Sequence, residues 1–198
     1  VPWHLLLVAA LWVLPNGPEA ARMAVSVGKV DGYCLVWSVI CAVASSLALW
    51  GWSVGCGGDH GPVQRFLGSF MSWVTIGPFA VVNAMFEELE HRSILYLASV
   101  ATLLPLHAEA PWPSSWHVLA ITTQALWFAM KHYRGGFPSG VTGFILVFLW
   151  SSFLGFLMSW SGGLALVLFD HIVADVVIGL LVLRSKRRPH KARGAQIS

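Results

Sequence analysis

Between Tyr33 and Leu183 the chain is a succession of long apolar runs separated by short polar or Gly/Pro-rich segments. A helix needs about 20 apolar residues to cross the hydrocarbon of a bilayer. Runs of that order fall at 33–54, 66–83, 85–106, 116–132, 141–159 and 163–183, and each is predicted as a membrane helix. A shorter apolar core, Leu5 to Leu14, precedes them, followed by a Pro/Gly stretch and Glu19-Ala20-Ala21. That layout resembles a signal peptide, but no Lys or Arg comes before the apolar core, which favours a short first membrane helix. The linkers at 15–18, 55–62, 105–113, 135–140 and 162–163 are rich in Gly and Pro, and none could hold a second domain. No internal repeat is visible. The predicted fold is all-α, a polytopic transmembrane bundle of about six or seven helices forming one integral-membrane domain over residues 1–198.

One stretch resists this division. As a single straight helix, 66–106 would run about 60 Å, twice the hydrocarbon thickness. Gly77-Pro78 offers a break and Glu87–Arg92 a polar turn.

Composition agrees with the pattern. The chain is 57% hydrophobic and only 11% charged, where soluble domains carry about 25% charged residues. The 11 Trp suit an aromatic belt at the two membrane interfaces. The net charge of +3 does not argue for nucleic acid, because the basic residues concentrate in the tail 184–198, from Arg184 through Arg193. Such a tail reads as the cytoplasmic flank of the last span, touching anionic lipid headgroups. The expected setting is a cell inner membrane of the bacterial type with the C-terminus in the cytoplasm. Cys34, Cys41 and Cys56 have no CxxC spacing and read as packing residues.

Against that apolar background, three clusters stand out: Glu87-Glu88-Leu89-Glu90-His91-Arg92, Phe128-Ala129-Met130-Lys131-His132 and His171-Ile172-Val173-Ala174-Asp175. Ionisable groups in hydrocarbon are costly and mark functional positions. Glu88 and Arg92 are four apart, share a helix face, and can pair. Glu87 lies about 100° around the helix, free to face a cavity as a general base. His132 ends an apolar helix, with Phe128 one turn earlier as a pocket wall. Asp175 can accept a hydrogen bond from His171 and fix its tautomer, while Asp170 points elsewhere. Blander readings exist for each cluster: juxtamembrane charges in water, an interfacial histidine, a polar pair gluing helices. Together the clusters could deprotonate a water and stabilise an oxyanion. His, Glu and Asp could also bind zinc, although no His-Glu-x-x-His run is present. His132 and His171 sit at different apparent depths, so their meeting requires a cavity dipping into the membrane, with the loop 135–140 as a candidate lining.

At these residues the chain resembles the CAAX prenyl protease and bacteriocin-processing (ABI) family of intramembrane glutamic endopeptidases. The family pattern EExxxR, FxxxH, HxxxN/D reads here as Glu87-Glu88-x-x-x-Arg92, Phe128-x-x-x-His132 and His171-x-x-x-Asp175, and the likeness covers about 66–184. The resemblance implies peptide-bond hydrolysis in the membrane without a metal cofactor, on a membrane-proximal peptide or protein. It implies that Glu87 and His132 activate water, that Glu88 and Arg92 support the site, and that His171 and residue 175 bind the oxyanion. An ionised Asp175 accepts but cannot donate, so it is expected to orient His171, which alone donates. His91 and Ser93 depart from the family's usual Phe and Gly. Three other readings remain: a non-catalytic immunity or scaffold protein on a protease-like fold, an ion-coupled transporter, and a metal-dependent hydrolase.

Overall fold

The computed structural model describes residues 26–55, 61–96 and 115–186. The Leu5–Leu14 segment, Cys56, residues 97–114 and the tail beyond Lys186 lie outside them. The described chain is all-helical, with α1 (Gly32–Gly55), α2 (Gly61–Phe70), α3 (Ile76–Glu88), a π-helical segment (Leu89–Tyr96), α4 (Ser115–Gly135), α5 (Gly140–Ser161) and α6 (Ala165–Lys186). Helices α1, α5 and α6 are each long and apolar enough to cross a membrane. Their exposed faces carry Val36, Val43, Leu47, Ile145, Leu149 and Phe169, as surfaces in contact with lipid should.

The run at 66–83 is not one span. It is divided at Met71–Thr75, where the Ser72 N–H donates to Thr75 Oγ1 (2.8 Å) and Thr75 Oγ1 donates to the Phe70 carbonyl (2.9 Å). Hydroxyls that compete for backbone groups in this way end helices. Gly77-Pro78 is therefore not the break. Pro78 sits in the first turn of α3, where its missing N–H costs nothing. Nor is Glu87–Arg92 a turn, because the helix continues through it with a widened π pitch, a distortion frequent at functional sites.

Helix α6 is the hub, packing on α1 and α3, while α4 and α5 form a hairpin. On α3, Ala80 and Ala84 are fully buried, and these small side chains let α6 approach closely. The α5–α6 corner is tied to the segment before α1 through Lys29 N–H to Ser161 O (2.6 Å) and Leu164 N–H to Ser26 O (2.9 Å). This crossing needs glycine at two points, since a Cβ on Gly28 would lie 2.7 Å from the Gly163 nitrogen. Asp31 caps α1 by accepting the Cys34 N–H (2.8 Å), which holds its carboxyl below the ordinary range. At the other end, the Arg184 guanidinium lies 4.5 Å from the Trp50 ring centre. Cys34 and Cys41 are free and buried, consistent with packing roles.

Candidate active site

The three polar clusters converge where α3, the π segment, α4, α5 and α6 meet. Glu88 and Arg92 are both fully buried and pair as the spacing predicts, Arg92 Nη1 to Glu88 Oε1 at 2.6 Å. Arg92 Nη2 reaches across to donate to Ser151 Oγ of α5 (2.9 Å). Its guanidinium lies 5.3 Å from the Phe128 ring centre and 5.8 Å from that of Trp150. Gln124 of α4 completes the network, donating to the Ser151 carbonyl (3.2 Å). A planar fork with five donors suits such a multiply bonded position better than an ammonium.

His171 is gripped at both ring nitrogens. Nδ1 bonds Glu88 Oε1, and Nε2 lies 3.2 Å from Glu87 Oε2. The tandem glutamates thus take one imidazole between them. Glu88 therefore serves Arg92 and His171 at once, where the sequence had assigned it only the arginine.

The expected side-chain hydrogen bond from His171 to Asp175 is absent: Nε2 and Oδ2 are 3.9 Å apart, beyond hydrogen-bond range. Asp175 Oδ2 accepts instead from Asn83 Nδ2 of α3, at 3.0 Å. The reason is register. Helices α3 and α6 run antiparallel, so Asn83 faces Asp175 one turn away from where Glu87 faces His171. Asn83 escaped the sequence reading, although its position four residues before Glu87 was a usable signal. Ser151 and Gln124 were also missed, and a polar Gln inside an apolar helix was the hint for the second.

His132 joins the same site despite its different position along its helix. Phe128 bridges the gap, its ring 4.4 Å from His132, 4.5 Å from His91 and 6.3 Å from His171. His132 Nδ1 donates to the Phe128 carbonyl (3.0 Å), so in the neutral ring Nε2 is an acceptor. Gly136 makes room for this imidazole, since a Cβ there would come within 2.5 Å of the His132 Cα. His91 does not bond the Glu87 side chain. Its Nδ1 donates to the Glu87 carbonyl (2.8 Å) where α3 passes into the π segment. Outside, Lys131 pairs with Glu90 at 2.6 Å, joining α4 to the π segment.

A cavity of about 80 Å³ lies between these groups, lined by Glu87, Phe128, His132, Trp150, His171 and Asp175. One water needs on the order of 10–15 Å³ of such space, so several fit. Phe137 and Pro138 of the α4–α5 loop and Ser45, Ala48 and Leu49 of α1 complete its wall. The loop at 135–140 thus contributes to the cavity, as the depths of the two histidines require.

A family model described as type II CAAX prenyl endopeptidase Rce1-like matches residues 68–177, more than half of the chain and a span that contains all three polar clusters of the site. The chain belongs to this family. No curated protein and no solved structure matches it. The CAAX-type family makes the chain an integral-membrane protease. Its buried ionisable groups lie among helices of which three are long and apolar enough to cross a membrane.

Proposed function

We propose that the chain is an intramembrane glutamic endopeptidase cutting a peptide bond in a membrane-proximal peptide or protein, with water activated by Glu87 and His132. The observation that carries this reading is the shared cavity, with a carboxylate and an acceptor imidazole nitrogen on its wall. Glu87 and His132 Nε2 each accept one hydrogen of a water, which turns its lone pair towards the scissile carbonyl. Glu87 takes the proton as the oxygen attacks. Once neutral, it relaxes its hold on the His171 Nε2–H, which becomes the donor for the oxyanion. Collapse of the tetrahedral intermediate breaks the C–N bond, and the leaving amine takes the proton back from Glu87. Glu88 holds His171 from the far side, and Arg92 offsets the charge of Glu88. Phe128 walls the pocket.

The mechanism uses no metal. Among the described residues, no three His, Cys, Asp or Glu side chains are arranged to hold a metal ion. The same reading makes residues 1–198 one membrane domain with a basic cytoplasmic tail in a cell inner membrane of the bacterial type.

The test is purified protein in detergent with a panel of internally quenched membrane-proximal peptides, one of them a farnesylated CAAX peptide. Cleavage is expected to survive chelator and, in ¹⁸O-water, to place the label in the new carboxyl terminus. Activity lost to chelator and restored by zinc points to a metal hydrolase. Binding without cleavage points to an immunity or scaffold protein.

A further inference from the structure

Asp175 presents a problem of excess. It lines the cavity, and its Oδ2 lies 3.9 Å from His171 Nε2. A small rotation would close that gap into a charge-assisted hydrogen bond, which is about twice as strong as a neutral one. Nε2 already faces Glu87 Oε2 at 3.2 Å. A second carboxylate on the same N–H would compete with Glu87, and later with the oxyanion. What holds Asp175 back is Asn83, whose Nδ2 donates to that same oxygen at 3.0 Å.

The helix geometry makes this contact a built one. Asn83 and Glu87 are one turn apart on α3, and His171 and Asp175 are one turn apart on α6. Two rungs therefore cross the same interface in antiparallel register, Asn83 to Asp175 and Glu87 to His171. Between the rungs on α3, Ala84 is fully buried, as is Ala80 one turn before it. Asn83 does not line the cavity, so it acts through Asp175 and not on substrate.

We infer that Asn83 is a positioning residue: its side-chain amide holds the Asp175 carboxylate off His171 and so keeps the Nε2–H available to Glu87 and to the oxyanion. The inference rests on the proposed role of His171. It differs from a plain helix-gluing contact, which would stabilise the bundle without any bearing on which acceptor His171 serves.

The experiment measures kcat and KM for Asn83→Ala, for Asn83→Ala/Asp175→Asn and for Glu87→Gln, in detergent, on whichever panel peptide the unaltered protein cuts fastest. Thermal unfolding of each is recorded. Asn83→Ala is expected to lower kcat by about tenfold or more with KM within about twofold. Asp175→Asn in that background is expected to recover most of the loss, because it removes the charged competitor. Glue alone predicts that kcat follows the melting temperature in both variants, whereas the inference predicts loss and recovery of kcat at matched stability. Wild-type kcat in Asn83→Ala, or no recovery in the double variant, overturns the inference. If those outcomes occur while Glu87→Gln is inactive, the proposed function stands and the inference alone falls. Full activity in Glu87→Gln, or no cleavage of any peptide by the unaltered protein, removes the reading on which the inference depends.

Discussion

Replacing Arg92 with methionine is expected to destabilise the fold by about 3–5 kcal/mol and to abolish cleavage. Arg92 is fully buried, and it is the cation paired with Glu88 at 2.6 Å. Methionine fills the space but leaves Glu88 buried with only His171 to bond it, and strands Ser151 Oγ without the Nη2 donor. Arg92→Lys should fall between, because one ammonium cannot serve Glu88 and Ser151 with the geometry of a guanidinium. The double variant Arg92→Met/Glu88→Gln isolates the electrostatic part. It is expected to recover most of the lost stability, since no uncompensated charge remains. It should stay inactive, because the Glu88 carboxylate also grips His171 Nδ1. Thermal unfolding in detergent reads the first effect and peptide cleavage the second. Equal destabilisation in the single and double variants would refute the charge-compensation argument.

The second large effect is expected at His132. Substitution by alanine removes the acceptor nitrogen that orients water and should reduce kcat by about 10²–10⁴, the range for a proton-handling side chain. Stability should change little, because His132 is only partly buried and its Nδ1 bonds the Phe128 carbonyl of its own helix. His132→Gln keeps a carbonyl acceptor near the lost nitrogen and should retain more activity than alanine. The comparison of the two variants, by kcat at matched expression and matched melting temperature, separates water orientation from packing against Phe128.

Much of this site was legible before the fold was known, because its parts are local. Glu88 with Arg92, Phe128 with His132, and His171 with Asp175 are each four residues apart, and four residues return to one helix face. The cost of such groups in hydrocarbon singled them out. What escaped depends on contacts between helices. Asn83 acquires its role only through the antiparallel register of α3 on α6, and Ser151 only where α5 crosses beneath Arg92. The π segment was invisible for another reason: a residue inserted in a helical turn leaves the composition unchanged and merely shifts the period. The division of 66–83 into α2 and α3 turns on the hydroxyls of Ser72 and Thr75, a weaker signal than the Gly-Pro pair five residues on. His171 shows the limit of spacing as an argument. Its i+4 neighbour is Asp175, yet its bonds go to Glu87 and Glu88 on another helix.

The central claim is that a single carboxylate, Glu87, takes the proton from the attacking water. Its most direct test is Glu87→Gln, which keeps the shape and a hydrogen-bond acceptor beside His171 Nε2 but cannot accept that proton. The rate of cleavage should be measured on the best panel peptide, with folding monitored by thermal unfolding and elution as a single species. The account predicts a protein that unfolds within a few degrees of wild type and whose kcat is about 10²–10⁴ lower. A well-folded Glu87→Gln protein that cuts the peptide at the wild-type rate would contradict it.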